Sequence, residues 1–323
     1  MFKKIILLLL PLISFQLFSK EIQPAFTMTS RGLVSDFVID GFSLFVANDE
    51  GSVEVFDIQK RKKVNEIFLP AYLSATQELR PPKVLSVDRY SSQTLIVSSG
   101  EGGYRNVWLH NGERLKKIIS TKRKLSVKEA RFIDGKNFLF GTLGYDMVQY
   151  TLDDNHAVFN EHIEDSAFSD MAMSEDKRVS VTASESGQVM LLDTLSGAVL
   201  KEFKPLNLDN IYKVAYQNGT IVTAGQDRRV GVYPKKGEPY FIKSNFLVYS
   251  VGLSPSGKLG VYSSSEESDL QLFEVATGRK LHLLKGQDSI PSTIKFFNED
   301  GFFSAGYGNT IYYWYLKDYN RTK

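Results

Sequence analysis

Cysteine is absent from the 323 residues, which excludes disulfides, thiol catalysis, Cys-ligated zinc, iron–sulfur clusters and covalently attached haem. Histidine is scarce, with 4 residues. His110, His156, His162 and His282 are scattered, with no i,i+4 pairing and no second ligand type repeated beside them, so no metal site is expected. Net charge is small: Lys+Arg 39 against Asp+Glu 37 leaves +2, and Lys3 and Lys4 lie in a segment expected to be removed. A near-neutral body is no polyanion binder, so nucleic acid is not an expected partner. No apolar run reaches the length of a membrane span. What is present, 42% hydrophobic and 24% charged residues, is ordinary globular composition, able to build a core without staples.

The N-terminus has three parts: a basic start, Met1 to Lys4, a mostly apolar run, Ile5 to Phe18, and a small residue, Ser19. This is the layout of a secretory signal. The run spans roughly 21 Å as a helix, short of the ~30 Å hydrocarbon core, so no stable membrane anchor is expected after signal removal. Leu17 stands where a small residue is preferred, which leaves cuts one or two residues from Ser19 open. An exported chain without disulfides fits a bacterial periplasm, the compartment expected here. Residues 1–19 are thus read as signal peptide and 20–323 as one domain.

Short β-rich segments alternate with Gly, Asn, Asp and Ser turns, a pattern that calls for a search for repeats. An apolar-x-apolar-bulky segment recurs with its bulky residue at Phe56, Trp108, Tyr150, Leu192, Tyr233, Phe273 and Trp314, at intervals of 52, 42, 42, 41, 40 and 41 residues. Nine residues before each stand Ala47, Ser99, Gly141, Ala183, Ala224, Ser264 and Ala305, all small, although Ala, Gly and Ser make up only about a fifth of the chain. Four short strands per unit at a period near 41 make a propeller blade. The seventh unit lacks its fourth strand after Trp314, and Pro24 to Met28 can supply it. The expected fold is all-β, a seven-bladed β-propeller closed by the N-terminal strand. The bulky anchors are read as packing between blades.

The pattern resembles the WD-repeat type of propeller. Val55-Phe56-Asp57 and Leu191-Leu192-Asp193 stand where that family has its Trp-Asp pair. No unit carries the family's Gly-His dipeptide, and its turn aspartate, six residues before the anchor, occurs only as Asp227.

In this strand order, the turn between second and third strands lies on the same face as the connection from one blade to the next, here called the top. The long interval puts about ten extra residues near Phe68 to Lys83 on that face, including Tyr72 and Arg80. A long loop on a regular scaffold is a functional suspect. Gly100 to Arg105 and Lys122-Arg123-Lys124 are expected beside it, with Gln226-Asp227-Arg228-Arg229 across the ring. Tyr72, Arg80, Arg105, Asp227, Arg228 and Arg229 are therefore the candidate partner-binding residues, their guanidiniums suited to an acidic patch. Lys60 to Lys63 and Lys235-Lys236 are read as solvated turns on the opposite face.

For catalysis the sequence offers little. Adjacent carboxylates such as Asp49-Glu50 and Glu164-Asp165 sit at turns, where neighbours point apart. No Gly-x-Ser-x-Gly elbow occurs, and Gly100 to Gly103 precedes no helix that could receive a phosphate. The 2 Trp are too few for the quinone-cofactor propellers. No catalytic residue, metal or cofactor is expected.

Asp209 to Val214, Ala224 to Arg229, Phe168-Ser169-Asp170, Glu185-Ser186-Gly187 and Tyr249 to Gly257 resemble the NapL-type accessory proteins of periplasmic nitrate reductase. That resemblance implies a non-catalytic periplasmic propeller, partnered with nitrate reductase subunits or their maturation factors. The rival expectation is an envelope propeller enzyme of lactonase or glycosidase type, for which an inward-facing carboxylate and His cluster at the channel mouth would speak. A third, an outer-membrane assembly scaffold, shares the fold and differs in partner.

Overall fold

A computed structural model describes residues 21–74 and 76–316; the expected signal segment lies outside them. The described residues form seven four-stranded antiparallel sheets around a ring, with one extra two-stranded hairpin. The first blade runs Val34–Asp40, Ser43–Asn48, Ser52–Asp57 and Lys62–Phe68 from axis to rim. The other innermost strands are Val84–Tyr90, Val127–Phe132, Phe168–Met173, Ile211–Gln217, Val251–Leu253 and Pro291–Asn298. No helix among the described residues is long and apolar enough to cross a membrane.

The ring closes as the sequence implies. Phe26–Thr29 pairs antiparallel with Thr310–Tyr315 and supplies the outermost strand of the seventh blade. Ahead of it, Ile22 bridges Leu284 at the rim of the sixth blade, so one segment ties two blades together.

Each blade buries both faces, and the anchors do the packing: Phe56, Trp108, Tyr150, Leu192, Tyr233, Phe273 and Trp314 are all buried. The two tryptophans keep a polar handle satisfied in this dry setting. Trp108 Nε1 donates to Ser98 Oγ at 2.9 Å, and Trp314 Nε1 to Ser304 Oγ at 2.7 Å. The small residues nine positions earlier have a structural reason. A Cβ on Gly141 would stand 2.6 Å from the Phe168 ring of the next blade.

A β-bulge interrupts the innermost strand of six blades, and the residue after it is polar each time: Asp36, Ser86, Glu129, Asp170, Lys213 and Thr293. A bulge shifts side-chain alternation by one. Here it turns a polar row toward the axis.

Candidate functional site on the top face and channel

The axial row binds blade to blade. Asp36 accepts from Val87 N at 3.1 Å, Asp88 from Phe132 N at 2.7 Å, Glu129 from Met171 N at 3.2 Å and Asp170 from Val214 N at 2.9 Å. Each carboxylate thus satisfies a backbone donor on the next blade around the ring.

Cations cross the channel between them. Arg131 and Lys295 each meet Asp36 at 3.2 Å, Arg131 also pairs with Glu129, and Lys213 pairs with Asp170 at 2.8 Å. Arg131 donates further to Ser86 Oγ at 3.1 Å and Val87 O at 2.8 Å. Burial works against the Asp36 carboxylate, but Lys295, Arg131 and Lys213 outweigh it and hold its pKa well below the usual range. For Glu129 burial wins: it pushes the carboxyl up to about 7 against the pull of Arg131, with Asp170 adding to the rise.

A pH dependence follows. Glu129 is protonated more readily in the folded chain than at its ordinary 4.5. Its stabilising contribution is therefore complete below about pH 4.5 and lost as pH rises through about 7. Wild-type stability is expected to fall between about pH 5 and 8, and Glu129→Gln to flatten that slope. Urea titrations across this range check it; an unchanged slope in the variant would assign the effect elsewhere.

The channel around this network has a volume of about 280 Å³. Above it, at the top mouth, a funnel of about 390 Å³ is lined by Lys83, Arg105, Lys128, Leu33, Leu143 and Tyr307, among others. Lys213 lines both cavities and marks the boundary between them.

The candidate residues of the top face separate into three places. Tyr72 and Arg80 face each other across the hairpin of Tyr72–Leu73 and Leu79–Arg80, the form taken by the long insertion. Its base sits on Gly51, whose φ of +80° suits glycine and whose missing Cβ leaves room for Pro81 and Pro82. Arg80 pairs with Glu78, both exposed. Arg105 lies at the funnel, donating to Gly103 O at 2.6 Å. Asp227, Arg228 and Arg229 lie on the fifth blade, and no hydrogen bond or ion pair among the described residues links the three places.

Within that last group only Arg228 is exposed. Asp227 accepts from Asn207 Nδ2 at 3.0 Å and Leu208 N at 2.8 Å, tying its turn to the incoming connection. Arg229 donates to Leu206 O at 3.1 Å, lies 3.5 Å from Asp227 and stacks 4.4 Å over Phe241. These two shape the turn. Arg228, at φ +62°, is exposed and its side chain forms no ion pair among the described residues.

Glu54 plays the same tying role in the first blade. Buried, it accepts from Ser30 Oγ, from Arg31 N at 3.0 Å and from Lys63 Nζ at 3.0 Å. Lys63, expected in a solvated turn, is instead a strand residue bound to Glu54 and Glu66. Arg123 likewise packs 5.5 Å over Tyr150.

Sequence reasoning missed the axial network. Its carboxylates are isolated along the chain, and Asp36 finds Arg131 and Lys295 at separations of 95 and 259 residues. The inward-facing carboxylates of the rival enzyme reading are therefore present, but among the described residues no histidine lines the channel with them.

No protein-family model matches this chain, and no curated protein matches it. Among solved structures, the β-propeller domain of Cps50 (Swd1) from Myceliophteria thermophila is similar over 91% of this chain and 99% of its own, with a TM-score of 0.73 at 12% identity. That likeness establishes a WD-repeat-like seven-bladed propeller.

Proposed function

We propose that this chain is a non-catalytic periplasmic propeller that acts as a protein-interaction accessory factor in maturation or function of the periplasmic nitrate reductase system. The observation that supports a binding role is where the scaffold departs from regularity. The inserted hairpin and the three most exposed large apolar side chains, Leu79 at 71%, Leu208 at 70% and Tyr307 at 67% exposure, lie on the top face, whereas Leu195 and Phe42 are exposed at turns of the opposite face. Exposed apolar groups with basic neighbours suit a protein partner carrying an acidic patch, and one propeller face can supply the roughly 800 Å² per side of a standard interface. Nitrate reductase comes from the sequence resemblance, and the periplasm from the signal-like N-terminus together with the absence of cysteine.

Affinity capture of the tagged chain from cells respiring nitrate, against cells grown without it, tests the reading. Enrichment of nitrate reductase subunits or maturation factors is expected. Their absence from a capture in which the chain itself is abundant would overturn it. Within such a complex, Arg228→Ala is expected to weaken binding about three- to tenfold at low salt, with the difference fading at high ionic strength. Arg228→Ala is cleaner than a double change with Arg229, because removing Arg229 disturbs the turn itself.

A further inference from the structure

The funnel at the top mouth joins an apolar wall to positive charge that no carboxylate offsets at contact distance. Leu33, Leu143 and Tyr307 form its rim, while Lys83, Arg105 and Lys128 reach it from two blades. None of these three cations makes an ion pair among the described residues. Lys128 is the most constrained. It is half-buried, donates to Phe168 O at 2.8 Å and lies 6.0 Å from the Phe168 ring, which leaves two of its three protons uncommitted. Burial lowers its pKa first of all; Asp170, Glu129 and Glu185 pull it back from beyond ion-pair distance, and the neighbouring Lys213 lowers it further. Two of those carboxylates are already held, Asp170 by Lys213 and Glu129 by Arg131.

Like charges gathered in a concave, partly apolar site repel one another more strongly than on an open surface, and an entering anion relieves that repulsion. The volume, about 390 Å³, is that of a small-molecule pocket, mostly apolar with a few convergent polar groups. We infer that the funnel binds a small organic anion, a carboxylate or phosphate carried on an apolar body, with Lys128 as the seat of the charge. The apolar body lies against Leu33, Leu143 and Tyr307, while Lys83 and Arg105 draw the anion in. This site shares Arg105 and Tyr307 with the partner face proposed above, but it does not rest on that reading and is tested on the purified chain alone.

Calorimetric titration of the full chain with phenyl phosphate and with benzoate, beside inorganic phosphate and benzyl alcohol, separates charge from apolar contact. Saturable binding of at least one organic anion at or below about 1 mM is expected, with inorganic phosphate and benzyl alcohol clearly weaker. Lys128→Met is expected to weaken it about tenfold, the loss of a charge-assisted bond. Lys83→Met and Arg105→Met, which leave the ion-pair network intact, are expected to weaken it about threefold each and keep the test valid should Lys128→Met fail to fold. No saturable binding of either anion, equal binding of benzyl alcohol or of inorganic phosphate, or affinity unchanged in all three variants would overturn the inference.

Discussion

Replacing Arg131 by methionine is expected to cost about 3–5 kcal/mol, the penalty for breaking a buried ion pair from one side. Arg131 is the one guanidinium shared by Asp36 and Glu129, and it also fills acceptors at Ser86 and Val87. Methionine matches much of its volume but none of its charge. Asp36 keeps Lys295 and the Val87 amide, while Glu129 loses its only cation at contact distance among the described residues and is driven further toward the protonated form. The loss is therefore expected to be larger at pH 8 than at pH 5, because protonation relieves Glu129. Adding Glu129→Leu to Arg131→Met is expected to recover part of the stability, since an apolar replacement of a buried pair is often neutral. Urea unfolding of the three proteins at both pH values measures this. A cost within ±0.5 kcal/mol for the single variant, the range of ordinary surface changes, would show that the network does not hold the axis.

Removal of residues 21–29 is expected to have a comparable or larger effect. The segment buries Ile22 and Met28, each worth about 1.5–3 kcal/mol of apolar burial. It also carries Phe26, stacked 4.8 Å from Tyr313, and a four-residue ladder to Thr310–Tyr315. Without it that strand becomes an open edge over an apolar seam, the arrangement that invites pairing with a second chain. Total stabilities of about 5–15 kcal/mol leave little after such a loss. The truncated chain is expected to melt well below the full one or to elute from size exclusion as an oligomer. A monomer with unchanged melting would show that ring closure adds no stability. The expected cut near Ser19 spares this segment, whereas a cut beyond Ile22 would remove the tie to the sixth blade.

The blade count, the ring closure and the packing role of the anchors were legible because a repeat turns weak local signals into seven concordant ones. The top-face placement of Tyr72, Arg80, Arg105 and Arg228 followed from strand order alone. Two things were hidden. Arg229 looked like a surface charge because nothing local announces that Leu206 and Phe241 will meet it, and Asp227, which stands at the turn-aspartate position, ties its turn through Asn207 and Leu208 rather than facing a partner. The axial row was hidden by its own device: a bulge breaks the period of two, so Asp36, Glu129 and Asp170 did not read as facing one direction. Half of that signal was nonetheless visible. The small residues Ala47, Gly141, Ala183, Ala224 and Ala305 are the cross-strand partners of Asp36, Glu129, Asp170, Lys213 and Thr293. The small residues nine positions before the anchors thus mark the row opposite the network.

The functional account is tested most directly by nitrate reductase activity in the periplasmic fraction of cells lacking this chain, restored with the wild type or with Arg228→Ala at equal abundance. The account predicts reduced activity without the chain, full recovery with the wild type and partial recovery with Arg228→Ala. Undiminished activity in cells lacking the chain would contradict it.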